Sequence, residues 1–114
     1  MAFNTATAKN NAVVGYTTPA THAALYSTVP GASAGTELTG GTPAYARKPI
    51  TWAAAANGVQ TATVTFDVKA GDTVLGAGLH TAITGGTYLD GGGVTSQNFA
   101  TQGTYTLTIT ATVV

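Results

Sequence analysis

The chain has no cysteine, so neither a disulfide framework nor a thiolate metal site is available to it. Charge is almost as scarce. Lys9, Arg47, Lys48 and Lys69 face four acidic residues, giving 7% charged side chains and a formal net charge of zero. Nucleic acid and anionic membranes are bound through clustered positive charge, so neither is an expected partner. No apolar run reaches the roughly eighteen residues of a membrane-spanning helix. The N-terminus also lacks the basic region and apolar stretch of a targeting signal, and the expected setting is the cytosol until assembly.

Large apolar residues are few as well: Val, Leu, Ile and Phe together number 22, against 21 Ala, 24 Thr and 15 Gly. Disorder would require high net charge in addition, so the chain is expected to fold. Its 114 residues suit one domain that buries roughly two-thirds of its unfolded surface. A neutral skin of Thr, Ala and Gly favours association, which marks a part made to pack against copies or partners.

Residues 1–19 read as an arm or short helix, with Asn4 or Thr5 as N-cap and Gly15 as its stop. From residue 20 the pattern changes to period two, and residues 20–114 read as a single β-sandwich domain. Between Thr61 and Val68, Ala62, Val64, Phe66 and Val68 alternate with Thr61, Thr63, Thr65 and Asp67. Between Thr104 and Val113, Tyr105, Leu107, Ile109, Ala111 and Val113 alternate with threonines. Each is a strand with one dry and one wet face. Further strands are expected at residues 22–28, 44–52, 73–83 and 94–99, between turns at Pro30-Gly31, Gly40-Gly41, Asn57-Gly58, Gly71-Asp72, Gly85-Gly86 and Gly91 to Gly93. The fold class is all-β: an antiparallel sandwich or jelly roll with a short N-terminal helix or arm. The expected core is Trp52, Val64, Phe66, Leu79, Tyr105, Leu107 and Ile109.

One segment echoes another. Leu25-Tyr26-Ser27-Thr28 followed by Gly35-Thr36-Glu37-Leu38-Thr39-Gly40-Gly41 matches Leu79-His80-Thr81-Ala82 followed by Gly86-Thr87-Tyr88-Leu89-Asp90-Gly91-Gly92. Two equivalent hairpins facing each other across the sandwich are expected.

Chemistry has little to work with. A Ser/His/Asp hydrolase would have to draw on His22 or His80, yet no Ser stands in a nucleophile-elbow context. Both histidines are read as half-exposed strand residues bonded to backbone or water, although His22, His80 and Asp90 could converge on one sheet face. Asp90 before Gly91-Gly92-Gly93 supplies one carboxylate where calcium takes about six to eight oxygens. Gly76-Ala77-Gly78 lacks the third glycine and the helix of a phosphate loop. No enzyme activity, cofactor or metal is expected.

The segment Ala44-Tyr45-Ala46-Arg47-Lys48-Pro49-Ile50-Thr51-Trp52 holds the single Trp and single Arg. Pro49 cannot donate to a ladder, which puts the strand at an edge or a bulge. Tyr and Arg are frequent binding anchors, and Arg47 reads either as such an anchor or as the partner of Glu37 or Asp67. Trp52 reads as a core plug. The candidate interface comprises Phe3, Val13 and Val14 of the arm and Tyr45, Arg47, Lys48 and Pro49 of the edge.

The runs 25–28, 35–41, 44–52, Thr65-Phe66-Asp67-Val68-Lys69-Ala70-Gly71 and Gly85-Gly86-Thr87-Tyr88-Leu89 resemble the small virion proteins of tailed bacteriophages labelled tail-fibre-like, minor tail or capsid decoration proteins. The likeness covers about residues 20 to 113, with the run from Tyr45 to Trp52 its most specific part. It departs from the family pattern at His80, where an aromatic is commoner, and at Pro49. The resemblance implies a non-enzymatic particle component, located in the virion and assembled in the host cytoplasm. The reading preferred on size and neutral skin is a capsid decoration protein that stabilises the shell from outside. The alternatives are a minor tail or short tail-fibre protein and, third, a carbohydrate-binding adhesion module. The expected partners are the major capsid protein and copies of the chain itself, a symmetric trimer being the simplest closed arrangement at a capsid threefold.

Overall fold

A computed structural model describes residues 2–113. Helix α1 spans Ala6–Thr17, and the strands are β1 (His22–Tyr26), β2 (Lys48–Pro49), β3 (Val59–Val68), β4 (Thr73–His80), β5 (Tyr88–Asn98) and β6 (Gly103–Thr112). All ladders are antiparallel: a four-stranded sheet in the order β2-β1-β4-β5 packs on a two-stranded sheet β3-β6. The fold is an antiparallel β-sandwich with a short N-terminal helix.

Thr5 is the N-cap, its hydroxyl accepting the Ala8 amide at 3.1 Å. The helix runs past the stop expected at Gly15, which lies on an open face where an added methyl would meet nothing. It ends at Thr17 and Thr18, whose hydroxyl returns to the Val14 carbonyl at 2.7 Å, and Pro19 follows. Val13 and Thr17 are its buried positions, and the Thr17 hydroxyl donates to the Gln60 side chain on β3. Asn10 accepts the Gly58 amide at 2.8 Å, tying the helix to the β3 turn. There Asn57 and Gly58 both take positive φ, 51° and 79°, between Ala56 and Val59, which exchange two backbone bonds in a two-residue hairpin.

β3 and β6 pair over ten residues with Val64 opposite Leu107 and Phe66 opposite Tyr105. Those four side chains enter the core, at 6%, 7%, 0% and 7% exposure, and meet Leu25, Val68, Val74 and Leu38. Their intervening threonines pair on the wet face, Thr63 opposite Thr108 and Thr65 opposite Thr106.

Several expectations are corrected. Trp52 is half-buried rather than a core plug, its indole N–H donating to the Ala20 carbonyl at 3.0 Å beside α1. Leu79 and Ile109 are also half-buried, because two strands cannot cover the inner face of four. The expected strand 44–52 contracts to Lys48–Pro49, and the strand begun at Thr73 ends at His80. Gly91 to Gly93 form no turn: they lie inside β5 opposite Gly78, Ala77 and Gly76. An added methyl on Gly91 or Gly76 would strike backbone or the Pro30 ring, so glycine here admits a loop laid against the sheet.

Candidate functional site

The echoed segments form hairpins, but side by side in one sheet rather than across the sandwich. β1 pairs directly with β4, with Ala24 opposite Gly78. In the first unit Tyr26 bridges Glu37, and the Thr36 amide donates to the Thr28 hydroxyl at 2.8 Å. In the second His80 pairs with Tyr88, and the Thr87 amide donates to the Thr81 hydroxyl at 2.9 Å. Each residue of β1 corresponds to the one 54 positions later, so the hairpins are related by a local two-fold through the Ala24–Gly78 pair. Tyr26 and His80 are then equivalent, and they touch: the Tyr26 hydroxyl and His80 Nε2 share a hydrogen bond. Tyr88 stands edge-on to both rings, at 6.4 Å from Tyr26 and 5.6 Å from His80. Burial, with Arg47 nearby, holds His80 below its ordinary pKa, and burial pushes Tyr26 up to about 12.

The first of these turns folds back over the outer face of the sheet, where Pro30 lies against Gly76 and Gly91. Tyr88 donates to the Gly31 carbonyl at 2.8 Å and so fastens the first turn. Arg47 fastens the second, its Nη1 donating to the carbonyls of Ala82 at 3.1 Å and Gly85 at 2.8 Å. The rest of the guanidinium grips Glu37, and the Tyr45 hydroxyl donates to the same carboxylate at 2.7 Å while accepting the Leu25 amide at 3.0 Å. Burial works to raise the Glu37 carboxyl, but the bonds from Arg47 and Tyr45 outweigh it and hold it below the usual carboxylate range. Val29 and Ile83, equivalent turn residues, are left 62% and 53% exposed.

The expected interface residues therefore divide. Tyr45 turns inward, stacked on Phe66 with ring centres 6.1 Å apart, and is an internal brace rather than an outward anchor. Of its two readings, Arg47 follows the internal one. Val13 is 2% exposed and packs within the chain. Phe3 and Val14 remain exposed at 43% and 41%, Pro49 is exposed on the β2 edge, and Lys48 Nζ lies 3.9 Å from Asp67. Phe3 and Val14 are not brought together with Pro49 by any ladder. The Tyr26–His80–Tyr88 cluster was missed in sequence, although the echo already placed Tyr26 and His80 at equivalent positions.

Among the described residues no group of three His, Asp or Glu side chains converges as metal ligands, and no helix is long and apolar enough to cross a membrane. The surface instead offers an open side. β5 and β6 are the outer strands there, and between them runs a groove of about 300 Å³ lined by Ala77, Leu79, Val94, Leu107 and Ile109.

The family model described as podophage GP4 fiber I protein gp80 matches residues 3–114. The chain belongs to this family. It is a structural protein of a phage virion, in keeping with the resemblance drawn from residues 20 to 113. No curated protein and no solved structure gives a significant match to this gp80-family chain.

Proposed function

We propose that the chain is a non-enzymatic component of a podophage tail fibre, held to the particle and to copies of itself through uncharged contacts. The family match over residues 3–114 carries this reading, because the family is described as a fibre protein. It favours the tail-fibre alternative over the capsid decoration role preferred on size and charge. The shape agrees with a fibre segment, at 47 × 23 × 22 Å. The Arg47 staple supports a mechanical role: it spends the single guanidinium on bracing a loop, leaving little for solvent or substrate.

Uncharged attachment suits a particle that meets varied salt, since apolar and backbone contacts lose little to screening. The experiment is gold labelling of intact virions together with a copy count by quantitative mass spectrometry. Label at the tail with a few to tens of copies supports the fibre; label over the shell with hundreds of copies restores the decoration role and overturns it.

A further inference from the structure

Asparagine stands at positions 4, 10, 11, 57 and 98, and only Asn57 is followed by glycine; the others precede Thr5, Asn11, Ala12 and Phe99, whose side chains crowd the amide that follows. With no Cβ beside it, the Gly58 amide is the least hindered nucleophile next to an asparagine side chain. The reaction it can enter needs no enzyme. The Gly58 nitrogen gives up its proton to hydroxide and bonds to Asn57 Cγ, the side-chain nitrogen leaves as ammonia, and water then opens the five-membered imide to aspartate or isoaspartate. The fold closes this route in three ways. Asn57 and Gly58 both hold positive φ, and the two bonds between Ala56 and Val59, at 2.9 and 3.0 Å, fix the turn, so the peptide between them cannot swing its nitrogen toward Asn57 Cγ. The Gly58 N–H, whose proton would have to leave, donates to Asn10 Oδ1 on α1 at 2.8 Å. The helix also roofs the turn: Gly58 is buried, and a methyl on it would come within 2.8 Å of Lys9 Cβ, whereas Asn57 itself is exposed.

We infer that Asn57 is a latent deamidation site that α1 keeps closed through Asn10, so that its conversion records, irreversibly, any release of the helix from the β3 turn. Asn10 is the one side chain that reaches the reacting nitrogen, and it belongs to the helix rather than to the hairpin. Lifting α1 therefore removes the acceptor and the roof together. The product has consequences of its own. On a chain of zero formal charge it adds one negative charge. Isoaspartate also lengthens the main chain by a methylene group, which a two-residue turn cannot absorb, so the Ala56–Val59 bonds and the seat of Asn10 are lost with it. A helix released for long enough does not return to the same place. The inference stands apart from the fibre reading, since it follows from the turn and the helix alone.

The experiment incubates the purified full chain in mildly alkaline buffer and follows Asn57 by peptide mass spectrometry, where conversion adds one mass unit and isoaspartate separates from aspartate. Folded wild type should convert at least about a hundredfold more slowly than the same chain in urea, because three hydrogen bonds, each worth up to about tenfold in population, must open first. Asn10→Ala, which leaves a good helix former but no acceptor, should convert about tenfold faster than wild type, the effect of losing one such bond. Asn10→Asp keeps the acceptor and should stay slow. Circular dichroism verifies that each variant retains the β-sheet spectrum; should Asn10→Ala fail to fold, Asn10→Ser, whose hydroxyl is too short to reach Gly58, takes its place. Folded wild type converting as fast as the chain in urea would show that the turn is not closed. Wild-type rates in the folded variant without the acceptor, or equal acceleration by Asn10→Asp, would show that α1 does not close it, and either result overturns the inference.

Discussion

The Arg47 guanidinium meets the Glu37 carboxylate in a two-pronged pair, Nε to Oε2 and Nη2 to Oε1, each at 2.9 Å. The side chains are 12% and 28% exposed, so the pair is partly desolvated and its remaining donor is spent on the 82–85 turn. An ammonium group cannot reproduce this fork. Arg47→Lys is therefore expected to lower unfolding free energy by about 2 kcal/mol, the range of hydrogen bonds to charged groups. Lys48→Met, which touches a pair 3.9 Å long and one-third exposed, should change it by no more than about 0.5 kcal/mol. Urea unfolding of both variants checks the contrast; equal losses would show that the fork is not the brace described.

Acid should weaken the fold in two stages. His80 is held below its ordinary pKa of about 6.5 by burial beside Arg47, with Tyr26, Tyr88 and Glu37 also facing it. The unfolded chain thus binds the proton more readily, and stability present above that value is lost as pH falls through the folded pKa. Glu37, also held low, has the same sign and acts further down, below about 4.3. Thermal midpoints are expected to fall from about pH 7 to about pH 5, with a smaller fall in His80→Gln. An unchanged slope in that variant would remove His80 as the source.

Gly78 sits on the local two-fold with the Tyr26 ring lying across it. A methyl there would come within 2.5 Å of the Tyr26 hydroxyl oxygen, and Tyr26 is 1% exposed and has no room to retreat. Gly78→Ala should cost about 1 to 3 kcal/mol, as overpacking does. Gly92→Ala, with nothing within 4 Å of the added methyl, should cost less than about 0.5 kcal/mol. Thermal melts of the two proteins decide, and a tolerated Gly78→Ala would mean that the hairpin face is loosely packed.

Much of this was legible residue by residue. The Thr5 cap, the Asn57-Gly58 turn and the dry faces of β3 and β6 follow from local chemistry, since a capping hydroxyl, a left-handed turn and period-two alternation each act within a few residues. The echo fixed the two hairpins for the same reason. Its relation in space was misplaced, because repeated hairpins pack equally well side by side or face to face as far as their own residues are concerned.

What the sequence by itself determined is which side of each long strand is apolar and where the chain turns. What only the tertiary structure decided is whether an apolar side has something to lie against. Leu107 and Ile109 stand on the same face of β6 and both line the groove, yet Leu107 is 7% exposed within the cluster of Leu25, Val64 and Phe66 while Ile109 is half-buried against it. Tyr45 likewise read as an outward anchor, and Arg47 as either an anchor or the partner of Glu37 or Asp67, until the return after β1 brought Glu37 to both. Alternation records the direction of a side chain, whereas burial depends on strands distant in the sequence, and here the second sheet stops two strands short of the first.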